Sequence, residues 1–546
     1  MISFRTAITK CSLTVAACLM PFIIARAQSS SAIEAGRRIY REGIASGKPV
    51  RARVQGDVSV EGARFNCAAC HRLSGMGSSE GAAFVPPITA RWLFAERDPR
   101  QIDLFKKLFQ EVQPDHFRAR ARDPRPRPAY TDETLIEALR EGRDPAGRLL
   151  DPLMPRYQIG DEDARRLVAY LKTLSAAPSP GVTDSEVHFA AVVTQDADEE
   201  KRRAMIDVFD AYLRWKNADT RQMLARSAAW HKDEFYATLR EWRLHLWELK
   251  GPKENWTAQL EAFYRRQPVF ALILGIGSQW QAVHDFCERE ELPCLFPGTD
   301  LPVTSPTTNY SVYFSRGLTL EADALAVYLR DRLKQERIVQ VYRESAPARA
   351  FRRAIESQGV SLKDRAVEGE MELTRAFWER LVKEDQPSSL VLWLSYADLK
   401  AMDADLLRSV ERIYLSSTLL GEGKLPAGLR EKALLTHPYA LRETPHVYRA
   451  RAWMRSRGVA LRREREQLNA YFALSLVDSA LMQMADNFYR DYFLETVEQE
   501  AESALNPGVF PSLSLGPGQR FASRGCYIVR LTDTGDMEAV SRWIVP

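Results

Sequence analysis

Two cysteines three residues apart with a histidine directly after them, in Asn66-Cys67-Ala68-Ala69-Cys70-His71, constrain this chain more than any other stretch of it. The spacing is that of a c-type haem attachment site. Each thiol forms a thioether to a haem vinyl group, and the imidazole that follows is placed to ligate the iron. Structural zinc is the competing chemistry, but zinc takes about four ligands, and no second Cys/His pair stands nearby. The expected cofactor is therefore one covalent haem c, with Cys67 and Cys70 as its anchors and His71 as a metal ligand.

A single haem domain leaves most of the 546 residues unexplained, and the usual domain size allows about three or four units. Lys and Arg exceed Asp and Glu by 76 − 72 = 4. So even a balance argues against nucleic acid or an acidic membrane surface as the main partner. At the N-terminus Arg5 and Lys10 precede an apolar run from Cys11 to Ile24, and Ala25-Arg26-Ala27 stands before Gln28. Those are the three parts of a secretory signal peptide, residues 1–27, with cleavage expected after Ala27. The run is shorter than the ~20 residues a spanning helix needs, so no membrane-spanning anchor is expected. Val15-Ala16-Ala17-Cys18 resembles a lipoprotein cleavage box, but the apolar stretch continues well past Cys18. After export Cys287, Cys294 and Cys526 remain beside the haem pair. In an oxidising compartment Cys287 and Cys294, which flank a short helix-to-strand turn, are the candidate bridge; three inert buried thiols are the alternative.

From Ala32 onward Ile33, Gly36 or Arg37, and Tyr40 recur on one helical face. A glycine inside a helix costs about 1 kcal/mol relative to alanine, and here it would admit a second helix at close range. That helix is expected over Asp161–Ser175, with Asp161 as N-cap and Leu167, Val168, Leu171 and Leu174 at helical spacing. Before it stands Leu153-Met154-Pro155, a methionine in a loop, whose thioether is a soft ligand that raises a haem potential. A core methionine is the plain alternative, and Met76 is a competitor five residues after His71.

Taken together, residues 32–175 resemble a class I cytochrome c, an all-α domain. The resemblance rests on Gly36 and Tyr40 in the first helix, on Cys67, Cys70 and His71, and on Met154-Pro155 before a last helix with Tyr170. It implies that His71 and Met154 are the axial pair, and that Val85-Pro86-Pro87-Ile88 is a loop packing on the haem. The chain departs from the compact pattern between Phe117 and Pro128, where Arg118, Arg120, Arg122, Arg125 and Arg127 alternate with Ala and Pro. Such a segment is extended and solvated; docking of an acidic redox partner, holding of haem propionates and a plain surface loop are its three readings.

Residues 176–184, opening with Ala176-Ala177-Pro178-Ser179-Pro180-Gly181, read as a linker. After it short apolar strands alternate with helices. Strands are expected at Val187–Thr194, Arg243–Leu249, Val269–Leu274, Cys294–Phe296, Ile338–Tyr342 and Leu390–Leu394, and near Ile413 and Leu434; helices at Glu199–Trp215, Trp256–Arg266, Gln279–Glu290, Leu320–Lys334 and Ala348–Gln358. That order predicts a mostly parallel sheet wrapped on both faces. Gln267–Ser278, Leu292–Thr299 and Leu513–Arg520 carry a resemblance of residues 185–546 to type I periplasmic binding proteins of the branched-chain amino acid or amide class. The stretch Thr220–Arg240 departs from it, being too long and charged for a simple crossover. The resemblance implies two α/β lobes around a cleft, with Ser278 and Thr299 holding the carboxylate of a small polar metabolite and Tyr342 at a third strand end.

Gly275-Ile276-Gly277 lacks the third glycine of a dinucleotide fingerprint. His231, His245, His284 and His437 stand singly, and no Ser/His/Asp signature appears, so no catalytic residue is named. The expected whole is a periplasmic mono-haem electron carrier with a tethered ligand-binding domain, served by a redox partner such as a periplasmic dehydrogenase. The alternative is a transporter's solute receptor or a ligand sensor in which the haem is accessory.

Overall fold

The computed structural model describes residues 30–54, 58–62, 64–80, 83–97, 126–230, 239–305, 308–330, 337–356, 360–369, 371–421, 423, 425, 427–501, 508–516 and 518–546. The expected signal peptide and Arg118, Arg120, Arg122 and Arg125 lie outside them. The chain divides into two compact units, residues 1–178 and 179–546.

The N-terminal unit is built on helices α1 (30–42), α2 (Cys67–His71), α3 (Asp132–Glu141) and α4 (Asp161–Leu171). Gly36 does what its position suggests. A Cβ there would overlap the Arg166 carbonyl and the Cβ of Tyr170, so α1 and α4 cross backbone to side chain, with the Tyr40 and Tyr170 rings 5.4 Å apart. Ile39, Tyr40, Leu135, Leu139, Leu167 and Leu171 fill the core between α1, α3 and α4. Two expectations at α4 need correction. Its N-cap is Gly160, while Asp161 is the first helical residue and accepts a hydrogen bond from Arg140 at 2.6 Å. Its end comes at Leu171, where the Thr173 and Leu174 amides fold back onto the Tyr170 carbonyl at 2.8 and 3.0 Å.

An all-α unit is also too simple. Strands β1 (Arg51–Val54), β2 (Val58–Glu61) and β3 (Arg156–Gln158) form an antiparallel sheet in the order β2-β1-β3. Only Ala52 of β1 is fully buried, and alternation over four residues is too short to be read as a strand signal.

The C-terminal unit holds two sheets. The first joins β4 (Glu186–Thr194), β5 (Glu241–Leu249), β6 (Ala271–Ile273), β7 (Cys294–Leu295) and β8 (Ser311–Val312) in the order β8-β7-β6-β4-β5, all parallel. The second joins β9 (Arg337–Tyr342), β10 (Ser361–Ala366), β11 (Ser389–Trp393), β12 (Arg412–Ser416), β13 (Ala433–His437), β14 (Tyr527–Leu531) and β15 (Met537–Ala539) in the order β10-β9-β11-β12-β13-β14-β15. Its first five strands are parallel and the last two antiparallel.

Both sheets are covered on both faces, and the strand period of two decides which residue goes where. In β4, Val187, Phe189, Ala191 and Val193 enter a core with Met205, Phe209 and Tyr212 of α5 (Glu199–Trp230), whereas Ala190 and Val192 enter another with Trp247, Trp280 and Phe286. In β9, Val339 and Val341 face one core and Ile338 the other. Helices α6 (Trp256–Arg266), α7 (Gln281–Arg289), α8 (Leu318–Leu329) and α9 (Ser345–Glu356) fall near their expected places. Helix α5 continues fifteen residues past Trp215, so much of the charged stretch after Thr220 is helix. The strand Ser361–Ala366 and helices α10 (Arg375–Asp385), α11 (Pro445–Ser456), α12 (Glu464–Met484) and α13 (Arg490–Glu500) are additions to the sequence reading. Among the described residues no helix is long and apolar enough to cross a membrane.

Candidate functional site

Helix α2 is a single turn and needs outside support. The Asn66 side chain accepts from the Ala69 amide at 2.8 Å, capping its start. Tyr40 of α1 donates to the Arg72 carbonyl at 2.6 Å, and Ser78 donates to the Cys70 carbonyl at 2.8 Å, fixing its end. His71 is only 6% exposed. Its Nδ1 lies 2.9 Å from the Pro86 carbonyl, and a carbonyl can only accept, so Nδ1 carries the proton and Nε2 keeps its lone pair. Burial holds the ring neutral, its pKa pushed down to about 4 against the opposing pull of that carbonyl. Cys70 is exposed, Cys67 half-buried, and neither is bridged. Burial pushes the Cys67 thiol up to about 12, opposed by the hydroxyl of Tyr157.

Met154 lies in the loop before β3, half-buried against the same core that Cys67, Ala68 and Ile88 touch. Three residues on, Tyr157 donates to the Phe65 carbonyl at 2.7 Å, tying β3 to the residue before Asn66. Of the arginine series, Arg127 is buried. Its guanidinium donates to the carbonyls of Trp92, Leu93 and Pro128 at 2.5, 3.3 and 2.9 Å and lies 4.6 Å from the Tyr130 ring centre. It straps the fold together, and a partner-docking role is not what its surroundings provide.

In the C-terminal unit Ser278 and Thr299 follow adjacent strands, with Ile276 bridged to Gly298 and to Val193. Ser278 donates to Oδ2 of Asp196, and Thr194 donates to Oδ1 of the same carboxylate. Asp196 is an exposed residue whose partial desolvation works against its charge, but the two hydroxyls hold it below the usual carboxylate range. An open groove of about 650 Å³ borders Asp196 at the carboxyl ends of β4 and β5, with Gln195, Lys253, Glu254 and Trp256 on its walls. The Thr299 hydroxyl accepts from the Leu301 amide at 3.3 Å. Tyr342 ends β9 in the other sheet and packs against that sheet's core, so Ser278 and Thr299 follow strands of one sheet and Tyr342 belongs to the other. Beside it Arg343 is fully engaged, with Asp398 at 2.6 Å and with the carbonyls of Gly369 and Met371.

Asp196 escaped the sequence reading although it stands two residues past a strand end. So did a buried polar patch around Glu321. There Thr436 donates to Oε2 of Glu321, Thr418 and Tyr439 share a hydrogen bond at 2.9 Å, and Arg465 donates to Tyr439 at 2.9 Å. Burial pushes Glu321 up to about 7, with the hydroxyls of Thr418, Thr436 and Ser416 opposing. Each described histidine of the single set has a hydrogen-bond partner, His245 with His188 at 2.9 Å, His284 with Tyr313 at 3.0 Å and His437 with Ser417 at 2.9 Å; His231 lies outside the described residues. Cys287 and Cys294 are both fully buried and unbridged, in hydrogen-bond contact with each other. Among the described residues no group of three or more His, Cys, Asp or Glu could hold a metal ion.

Residues 59–175 match the family model described as cytochrome c. The solute-binding protein of an ABC transporter from Rhodopseudomonas palustris HaA2, solved with p-hydroxybenzoic acid, superposes with a TM-score of 0.50 at 13% identity, over 66% of this chain and 97% of that one. The chain fuses a cytochrome c domain to a type I periplasmic-binding-protein fold. A fatty acid ABC transporter substrate-binding protein from Thermomonospora curvata (16% identity, 68% and 95% covered, TM-score 0.48) and a branched-chain amino acid ABC transporter protein from Thermus thermophilus with bound valine (13%, 67% and 98%, 0.48) are also similar. No curated protein sequence matches the chain.

A cytochrome c domain implies covalently bound haem, and the residues present fit one. The Cys67 and Cys70 sulfurs are both unbridged, as two thioether anchors require. A metal-ligating histidine donates its other ring N–H to a fixed acceptor, the bond that His71 makes to Pro86.

Proposed function

We propose that this chain is an exported, periplasmic electron carrier in which a mono-haem domain, residues 32–175, is tethered to a domain, residues 185–546, that closes two lobes on a small polar metabolite. The observation that carries the reading is His71: buried, neutral, with Nδ1 committed to Pro86 and Nε2 free of that bond, directly after Cys70 and four residues after Cys67, both unbridged. When bound, the haem supplies a one-electron couple at the iron. Cys67 and Cys70 would anchor it, and His71 and Met154 would ligate its iron. Pro86 fixes the rotation and tautomer of the imidazole, Tyr40 holds the residue after it in place, and Tyr157 ties the segment after Met154 to the segment before Cys67. The chain is a carrier and a binder in this reading, with no residue assigned to catalysis.

Visible spectra of the purified full-length protein test the assignment. The oxidised form is expected to show a methionine-to-iron charge-transfer band that Met154→Ala abolishes. A band that survives Met154→Ala removes Met154 from the ligand set.

A second reading, a solute receptor or ligand sensor with an accessory haem, draws on the open groove beside Asp196 at the carboxyl ends of parallel strands. A ligand that binds there without altering electron exchange with a redox partner protein would favour it over the first.

A further inference from the structure

The loop that carries Met154 runs Leu150-Asp151-Pro152-Leu153-Met154-Pro155 between α3 and β3. It is too short to satisfy its own backbone. The Leu150 amide reaches the Gly142 carbonyl at 2.8 Å, the Met154 amide reaches the Asp151 carbonyl at 3.0 Å, and the Leu153 amide reaches the Asp151 side chain at 2.9 Å. Those bonds engage the amides of Leu150, Leu153 and Met154 and the carbonyl of Asp151, and leave the carbonyls of Leu150 and Met154 to find partners from outside the loop. One side chain supplies them. Arg156, the first residue of β3, turns back so that its guanidinium donates to the carbonyls of Met154, Leu150 (3.2 Å) and Asp151 (3.4 Å).

The seat of that guanidinium is built for it. Gly142 ends α3 at φ 69°, a left-handed conformation that favours glycine, and any Cβ there would overlap Nε and Cζ of Arg156. The backbone of Arg156 is itself anchored, paired with Arg53 in the antiparallel sheet. The guanidinium is thus held between a helix end and a strand, and the loop is folded around it.

We infer that Arg156 is a positioning residue for Met154, holding the loop carbonyls so that the thioether is presented to the haem iron at high effective concentration. The inference rests on the assignment of Met154 as axial ligand. A neutral thioether is a soft ligand whose occupancy depends on how little entropy the loop loses when it binds. A loop already ordered by three hydrogen bonds from one rigid fork has little left to lose. An external ligand must then displace an ordered methionine.

The test uses the full-length haem-loaded protein and imidazole as the competing ligand. Arg156→Ala is expected to weaken the methionine-to-iron band, lower the midpoint potential and tighten imidazole binding by about tenfold, the factor supplied by losing roughly one net hydrogen bond's worth of loop order. Arg156→Lys, which keeps the charge but loses the fork, is expected to show a smaller shift of the same sign, and carries the comparison alone if Arg156→Ala does not take up haem. Arg140→Ala is the control for mere destabilisation, since Arg140 bonds Ile159 and Asp161 and no carbonyl of the methionine loop; it should leave band and imidazole affinity as in the wild type. A wild-type protein without the band, or one in which Met154→Ala leaves the band intact, sinks the ligand assignment. If Met154→Ala abolishes the band while Arg156→Ala and Arg156→Lys keep both the band and the wild-type imidazole affinity, the positioning role alone is overturned.

Discussion

Replacing Glu321 by glutamine is expected to change the pH dependence of stability of the C-terminal unit more than its shape. Glu321 lies in the first turn of α8 with its side chain wholly buried, facing hydroxyls of Ser416, Thr418 and Thr436. Burial is the largest influence on it and Asp300 adds repulsion; Tyr439 and Cys526 also face it, and both are pushed up in turn. The result is a carboxyl raised from 4.5 to about 7. The sign follows from proton counting. Between those values the folded chain holds a proton that the unfolded chain has lost, so this group's contribution is fully present below about pH 4.5 and is lost as pH rises through about 7. A shift of about 2.5 units corresponds to about 3 kcal/mol at the alkaline end. Glutamine keeps the shape and hydrogen-bonding capacity of the neutral acid and cannot ionise. Urea unfolding of the full-length protein, followed by tryptophan fluorescence because every tryptophan but Trp92 lies beyond residue 178, should therefore show Glu321→Gln gaining about 2–3 kcal/mol on the wild type between pH 5 and pH 8. A difference between the two proteins that does not vary with pH would refute the argument that burial keeps this carboxyl protonated.

Gly36→Ala gains about 1 kcal/mol in helix propensity but forces a Cβ into the Arg166 backbone and the Tyr170 side chain. Overpacking of that kind costs about 1–3 kcal/mol, so haem absorbance during urea unfolding should show a net loss, and a gain would mean that α1 and α4 can separate freely. Saturating a small-molecule ligand found by screening the full chain should change the rate of electron exchange with a redox partner while the midpoint potential stays put, since the potential is set by axial ligands and local burial. An unchanged rate, measured by stopped-flow, would leave the two domains merely fused.

What could be read from the sequence divides along a physical line. A cytochrome c domain is legible because covalent attachment of haem would demand the spacing of Cys67, Cys70 and His71 within the chain itself. Gly36 is legible because an uncompensated glycine in a helix needs a reason, and Arg166 and Tyr170 provide it. The parallel strands of the C-terminal unit are legible wherever a run such as Glu186–Thr194 is buried on both faces. Helix α12 was missed for the opposite cause: Leu468, Phe472, Leu476, Ala480 and also Gln467, Leu474 and Leu481 are buried, so no polar stripe marks its outer side. The polar side chains that escaped notice share another property. Asp196 meets Ser278 across 82 positions and Glu321 meets Thr436 across 115, distances over which neither periodicity nor spacing carries a signal.

The pairing of Asp196 with Ser278 also changes what the expected carboxylate seat can hold. From the resemblance alone, the hydroxyls of Ser278 and Thr299 would receive the carboxylate of an amino-acid ligand. In the structure the Ser278 hydroxyl already donates to a carboxylate of the protein, and Thr194 donates to its other oxygen. Both hydroxyls favour the ionised form, which is why Asp196, though partly screened from solvent, stays below the usual range. A second carboxylate brought to the same hydroxyl would face a fixed negative charge within hydrogen-bond reach, and like charges at that range disfavour each other strongly. An anionic ligand would therefore have to turn Asp196 out of its place and leave it unpaired. A neutral or cationic group entering the groove beside Asp196 meets no such obstacle, and finds a carboxylate already ordered by its neighbours.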